Sequence, residues 1–273
     1  MKSGAPVLYP NEDVAGRVTG YSERHSASLP SQLMEYHAHI VSTQPRADIM
    51  ISTFQGQAMV WLAHLIGAKK VLEIGVYHGF SSMVWSYAVG TGGQVTGLEF
   101  DPEYAAQARS VFTEYGLGNI RVVTGDALTT LAQQVPAAPD VVEEDIETQP
   151  YDIIFIDAQK SGYPAYLRTI LENSPRSSTN KNTNGETRSK GRRLLRKGGL
   201  IIGDNALRWG GVIDDSEANN PVAQLHSQDF TRSDWDRDLD TLREFNREMK
   251  ENPRLEAWLC PLWDGLAMAR LKD

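Results

Sequence analysis

The spacing of apolar residues changes twice along this chain. Residues 1–30 are rich in Gly, Pro and Ser and show no clear period, so they read as an extended or loosely held arm. From Ser31, "SQLMEYHAHIVST" brings Leu33, Met34, His37, Ile40 and Val41 near one face of a helix. A second helix is expected over residues 52–68, "STFQGQAMVWLAHLIGA", stopped by Gly67. Short apolar runs then alternate with helical segments. "KKVLEIG" (69–75), "QVTGLEF" (94–100), "IRVVTG", "YDIIFID" and "GGLIIGD" read as five buried strands. Between them lie "FSSMVWSYAV", "DPEYAAQARSVFTEYG" with Asp101 as N-cap and Pro102 at its first position, the short "ALTTLAQQ", and "GYPAYLRTILEN". After residue 231, "DWDRDLDTLREFNREMKEN" is a charged amphipathic helix, and "RLEAWLC" and "DGLAMARL" form a terminal strand pair.

Strands alternating with helices predict a mostly parallel sheet covered on both faces. The "PLW" connection is too short for a parallel crossover, so the last two strands are expected to be antiparallel. The expected organisation is an N-terminal arm and helix over residues 1–50, then one doubly wound α/β domain over 51–273. Two stretches read as insertions in that domain: the acidic, Pro-rich 135–150 and the polar, basic 174–193, both expected as exposed mobile loops.

Composition narrows the classes. A chain of 273 residues with 41% hydrophobic and 23% charged content is ordinary for a globular protein with a sizeable core. Its net charge of −8 speaks against nucleic acid as the main partner. One cysteine, Cys260, excludes an intramolecular disulfide framework and fits a reducing compartment; it reads as a small core residue. The start lacks the apolar core of a signal peptide, and no apolar run approaches the roughly 20 residues of a membrane span, so a cytoplasmic protein without membrane partners is expected.

The chemistry concentrates at strand ends. "LEIGVYHGFSS" turns the first strand into a helix, where an open α/β sheet binds ligands. Tyr77 occupies the position where a nicotinamide-binding G-x-G-x-x-G would carry its second glycine. Glu73, Gly75 and Gly79 form E-x-G-x-x-x-G instead, which suits a ligand with a cationic or amino end better than a pyrophosphate. Glu99 closes the second strand, where an acid can accept both ribose hydroxyls of a nucleoside. "GDAL" closes the third, where Asp126 could meet a ring amino group and the Ala127 backbone the ring itself.

The fourth and fifth strands end in Asp157 and in Asp204-Asn205. Neighbouring parallel strands would bring these side by side, as two carboxylates and an amide oxygen. Such a hard set prefers Mg²⁺, Mn²⁺ or Ca²⁺ to zinc. Lys160 follows three residues after Asp157 and could act beside the substrate. The plainer alternative is that Asp157 caps a helix and Asp204-Asn205 opens a turn.

The stretches "KKVLEIGVYHGFSS", "FIDAQKSGY", "GGLIIGDNALRWGGVI" and "NPRLEAWLCPLWDGLAMARL" together resemble the cation-dependent O-methyltransferases of the caffeoyl-CoA and catechol type, over roughly residues 50–273. The resemblance implies the class I methyltransferase (Rossmann-like) fold, a doubly wound seven-stranded sheet with an antiparallel last strand. It further implies S-adenosylmethionine as cofactor, a divalent cation with Mg²⁺ first, a small phenolic substrate and a homodimer. By position, Glu73, Gly75, Val76, Ser81, Glu99, Ala127 and Asp157 match cofactor-binding residues; Asp157, Asp204 and Asn205 match metal ligands; Lys160 and Asp157 match the catalytic centre. The chain departs from the family pattern at Gln159, His78 and Arg208, the last placed before Trp209, so the plant acyl-CoA substrate does not carry over; the polar insert 174–193, foreign to the compact plant and bacterial members, leads to the expectation of a role in specialised metabolism. An RNA methyltransferase using the basic run Arg188–Arg193, or a non-catalytic cofactor-binding regulator, are the rival classes. Salt-dependent RNA binding would mark the first, and absence of methyl transfer the second.

Overall fold

A computed structural model describes residue 9 and residues 11–135, 146–176 and 192–273. Most of the two expected insertions, 136–145 and 177–191, lies outside the described residues, as does the start of the arm. The alternating segments form β1 (Lys70–Ile74), β2 (Gln94–Glu99), β3 (Ile120–Thr124), β4 (Tyr151–Ile156), β5 (Leu195–Gly203), β6 (Leu255–Cys260) and β7 (Leu266–Leu271). They make one seven-stranded sheet in the order β3-β2-β1-β4-β5-β7-β6. The first five strands run parallel, and β7 is antiparallel to both β5 and β6. Chain order reverses between β1 and β4, which sets the ligand crevice at their carboxyl ends.

Helices cover both faces. On one, α2 (Ser31–Thr43), α3 (Thr53–Ile66), α4 (Phe80–Val89) and α5 (Pro102–Glu114) pack against Val71, Val95, Phe155 and Ile202. On the other, the short α6 (Ala127–Thr130), α7 (Tyr163–Glu172) and α9 (Arg232–Glu251) pack against Leu72, Leu98, Ile154 and Ile201. Residues on alternate faces of each strand are thus both apolar, as a doubly covered sheet requires. Cys260 is buried in the first of these cores. Asp101 caps α5 as its sequence suggests, accepting from the Glu103 amide at 2.7 Å. Gly67 closes α3 in the left-handed region at φ 63°.

Three expectations are corrected, and one helix lies where none was expected. The arm is not extended throughout: α1 (Glu12–Arg24) is a helix, started by the Asn11 side chain accepting from the Val14 amide and carrying acid at its start and Arg24 at its end. It buries no residue, although its Val14, Val18 and Tyr21 are spaced as on one helix face. Helix α2 turns Leu33, Tyr36 and Ile40 inward, while Met34 and Val41 stay exposed. A further helix, α8 (Pro221–Ser227), is started by the Asn220 side chain accepting from the Ala223 amide. The stretch Ala47–Ile66 does reach the length and hydropathy of a minimal membrane span, at 20 residues and 1.2. It comprises a short 3-10 turn and α3, whose Met59, Val60 and Ala63 are buried in the protein core.

Candidate active site

The crevice has two halves. The first is built on β1, β2 and β3. Glu73, one residue from the end of β1, is fully buried. One of its oxygens accepts from the Ser82 hydroxyl, and Oε1 has no partner. Burial pushes its carboxyl up to about 8; hydrogen bonds from Ser81 and Ser82 pull it down, and Asp157 and Glu99 push it further up. Gly75 has φ 96°, and a Cβ there would lie 2.1 Å from the Asp157 carbonyl oxygen. Its side is therefore filled by the end of β4, which ties the two halves together.

Glu99 is engaged by the backbone. Its Oε2 accepts from the amides of Val76 and Tyr77, each at 2.9 Å, and its Oε1 from the Asp101 amide at 2.9 Å. This places Glu99 under the β1–α4 turn. A carboxylate has about four acceptor sites, so capacity remains for a ligand hydroxyl. Ala127 is buried at the start of α6, and Asp126 spends one oxygen on capping that helix at the Leu128 amide, 2.9 Å away. Phe100 (77% exposed), directly after β2, and Leu128 (43%), in α6, stand out here as large apolar side chains left in solvent. Neither was singled out from sequence; an aromatic directly after a strand-end acid was the available signal.

The second half is built on β4 and β5. Ile156 pairs with Gly203 in register, so Asp157 and Asp204 take the next step on adjacent strands. The Asp157 amide donates to the Ile74 carbonyl at 2.8 Å and the Asp204 amide to the Ile156 carbonyl at 2.9 Å. Asp204 is buried; its Oδ2 accepts from Gln55 Nε2 at 2.9 Å and its Oδ1 from the Asn205 amide at 2.8 Å. Burial raises its proton affinity first, and the neighbouring Asp157 carboxylate adds to that; Lys160, Gln55 and the Asn205 amide oppose. Lys160 is buried on a 3-10 turn, with Nζ donating to Asp157 Oδ1 at 3.1 Å and to the Tyr163 hydroxyl at 2.7 Å. That hydroxyl lies 3.0 Å from both the Ile156 and Asp204 carbonyl oxygens, bracing the two strand ends. Gln55 and Tyr163 were not singled out from sequence, because a glutamine in an apolar helix and a tyrosine at a helix start carry no pattern of their own.

The sheet register ends β4 and β5 side by side, so Asp157 and Asp204 follow on neighbouring strands, with Asn205 next in the chain. Asp204 spends one acceptor site on each oxygen and keeps others, and the Asn205 side chain makes no hydrogen bond among the described residues. Two crowded carboxylates, one of them buried, with an amide oxygen and no sulfur or imidazole, fit a hard divalent cation.

The loop after β5 walls this half. Among the described residues six non-glycine residues have positive φ, and five flank this site: Asn205, Arg208, Trp209, Trp263 and Asp264. Their neighbours hold them there. The Ala206 and Leu207 amides donate to the Gly265 and Asp264 carbonyls at 2.9 Å each, and Trp209 donates to the Asp264 side chain. Gly265 admits this approach, since a Cβ there would sit 2.5 Å from Leu207 Cγ. Trp209 stacks on His226 of α8 at 3.8 Å between ring centres.

A sequence model of a family described as O-methyltransferase matches residues 23–176 and 179–272. The O-methyltransferase ankF of Aspergillus thermomutatus is 30% identical over 98% of this chain and 97% of its own. A catechol O-methyltransferase of Niastella koreensis is 30% identical over 82% of this chain and 83% of its own. Among solved structures, the SAH-bound Podospora anserina methyltransferase PaMTH1 superposes with a TM-score of 0.77 at 30% identity, covering 98% of this chain and all of that one (100%).

Proposed function

The chain belongs to the O-methyltransferase family, and from that premise we propose that it transfers a methyl group from S-adenosylmethionine to a hydroxyl of a small phenolic or catechol-like acceptor, with a divalent cation bound. The observation that carries this reading is the Lys160–Asp157–Tyr163 cluster beside Asp204 and Asn205, at the mouth of the β1/β4 crevice.

The β1–β3 half suits the cofactor. Glu73, with an unpaired buried oxygen, suits the amino end of the methionine part, with Gly75, Val76 and Ser81 in the adjoining turn. Glu99 suits the ribose, and Ala127 with the exposed faces of Phe100 and Leu128 suits the adenine. Asp157, Asp204 and Asn205 would hold the cation, with Mg²⁺ the first expectation; bound there, it would supply charge that lowers the acceptor's pKa and fixes two adjacent oxygens.

Lys160 has three N–H donors and uses two. The third can steady the ionised acceptor oxygen after its proton has left to solvent. The new O–CH₃ bond then forms as the S–CH₃ bond breaks, leaving a thioether and a neutral ether. Sulfonium and phenolate charges disappear together, which a site with buried walls favours.

A screen of catechols with labelled S-adenosylmethionine, with and without EDTA, tests the reading. Turnover that chelation abolishes and Mg²⁺ or Mn²⁺ restores is the expected result. Full activity after exhaustive chelation, with no metal by elemental analysis, removes the cation and returns Asp157, Asp204 and Asn205 to turn and capping roles. A homodimer belongs to the same proposal: exposed Trp61 and Leu65 on α3 and Trp258 on β6 offer apolar surface to a second copy, which sedimentation would detect.

A further inference from the structure

Asp204 is the buried carboxylate of the proposed cation set, and both of its oxygens are held by neutral donors. Oδ1 accepts from the Asn205 amide at 2.8 Å and Oδ2 from Gln55 Nε2 at 2.9 Å. The first bond is local, from the next residue in the chain. The second crosses 149 positions, from the first turn of α3 to the end of β5. Gln55 and Asp204 are each 3% exposed. Asp157 is held differently, by the Lys160 ammonium at 3.1 Å.

The start of α3 is fixed on several sides. Ser52 Oγ caps the helix by accepting from the Gln55 amide at 3.1 Å. Phe54 packs edge-on against Trp263 of the β6–β7 turn, with ring centres 5.2 Å apart. The Thr53 hydroxyl donates to the Glu23 side chain, and Gln57 Nε2 to the Glu23 carbonyl at 3.3 Å. Gly56 sits so close to its neighbours that a Cβ there would lie 3.1 Å from Leu29 Cδ1 and 3.3 Å from Val84 Cγ2. The Gln55 side chain is therefore delivered to Asp204 from a helix turn with little room to shift.

A bond that only pinned α3 to β5 could end on any acceptor of the loop. This one ends on a carboxylate whose other oxygen is also held. The terminal torsion of an aspartate is soft, so a carboxylate without outside donors turns freely. One donor on each oxygen fixes its plane and leaves the remaining lone pairs in set directions. The type of donor matters as well. A lysine or arginine would hold the carboxylate and also cancel its charge, and an apolar side chain would leave it loose. An amide orients it and leaves its charge for a cation.

We propose that Gln55 is a positioning residue for the cation: its amide sets the plane of the Asp204 carboxylate, so that the oxygens of Asp157, Asp204 and Asn205 can act together. Gln55 acts through Asp204. The inference rests on the cation in the methyl-transfer reading, and it is tested by metal binding, which does not depend on turnover.

The probe is Mn²⁺, titrated onto the full chain and followed by the electron paramagnetic resonance of the free ion. Binding of S-adenosylhomocysteine by calorimetry and thermal melting without metal are measured alongside. Wild type should bind about one Mn²⁺ at this oxygen site, and Asp204→Asn should lose it. Gln55→Met, close in size but without a donor, should weaken Mn²⁺ binding about tenfold or more, the usual scale when a group that orients a metal ligand is removed. Cofactor-product affinity should stay within about twofold. Gln55→Asn, which withdraws the amide by one methylene, should weaken Mn²⁺ likewise, and serves if the first variant does not fold. Mn²⁺ affinity that is lost in Asp204→Asn but unchanged in both Gln55 variants overturns the inference and leaves the cation reading standing. Parallel losses of Mn²⁺ affinity, S-adenosylhomocysteine affinity and melting temperature, or failure of both variants to fold, overturn it in favour of a purely structural bond. No Mn²⁺ binding by wild type removes the cation reading, and the role of Gln55 with it.

Discussion

The two halves of the crevice share one sheet but are built in opposite ways. At the ends of β1 to β3 the backbone satisfies itself: Glu99 takes three amides, Asp126 caps α6, and the positive φ values at Gly75, Gly79 and Gly125 fall on glycine. Only Tyr77 adopts one without that freedom. Beside the ends of β4 and β5, the loop after β5 and the β6–β7 turn use Asn205, Arg208, Trp209, Trp263 and Asp264 as well as Gly210 and Gly265. Each such residue costs of order 1–3 kcal/mol and persists only where its surroundings over-determine it. Those surroundings are identifiable: Asn246 donates to the Ala206 carbonyl at 2.8 Å, Arg243 to the Val212 carbonyl at 2.8 Å, and Asn220 to the Trp209 carbonyl at 2.8 Å. A half that cradles an invariant cofactor can be made of glycine and backbone. A half that must present particular side chains to a particular acceptor has to put side chains where glycine would be cheaper.

The contrast is broken most directly at Lys160. Lys160→Met should lower kcat by about 10²–10⁴-fold, the usual scale for a group acting at the reacting atom, with cofactor affinity within about twofold. Comparable losses in both would mean that the halves are not separable.

Glu99→Ala should do the reverse. Cofactor binding should weaken by about 1.5–3 kcal/mol, as for hydrogen bonds to a charged group, while kcat at saturating cofactor changes by less than about threefold. Because Glu99 also holds Val76, Tyr77 and Asp101 amides, the melting temperature should drop too. Unchanged affinity by calorimetry in a folded variant would take Glu99 out of the site.

A smaller effect separates the halves by pH. Glu73 is held at about 8 in the folded, cofactor-free protein, against 4.5 as its ordinary value. The folded state therefore keeps a proton that the unfolded chain gives up. Its contribution is fully present below about pH 4.5 and is lost as pH rises through about 8. Glu73→Gln should flatten the fall in cofactor-free stability over that window by about one proton in the linkage slope. An identical pH profile in denaturant titrations of the two proteins would contradict a neutral Glu73.

The smallest effect is expected from a polar segment of the sequence. Residues 177–191 contain no apolar side chain and lie in the sequence between α7 and β5. Their described flanks are secured by Arg176 to Asp273 at 2.8 Å and by Ser174 Oγ to the Leu195 amide at 3.0 Å. A short Gly-Ser link in their place should leave cofactor affinity and kcat within about twofold and barely move the melting temperature. A drop beyond about 8 °C, well over 1 kcal/mol for a chain of this size, would show that the segment packs.

The sequence by itself determined the alternation of strands and helices, the antiparallel hairpin at the end, and the acid or amide at each strand end. These are local: period, turn residues and short connections act within a few positions. It also placed Asp157 beside Asp204, because parallel neighbours in a doubly wound sheet end together. Only the tertiary structure decided the rest. Which face of α2 is buried depended on what packs over it, so Tyr36 turned inward and Met34 did not. Helix α1 buries nothing, so the helical spacing of its Val14, Val18 and Tyr21 gained no place in the core. Gln55 reaches Asp204 across 149 positions of sequence, and Tyr163 braces two strand ends through carbonyls 7 and 41 positions away. Contacts of that span have no period and no motif; they exist because the sheet register brings the two strand ends within one hydrogen bond of each other.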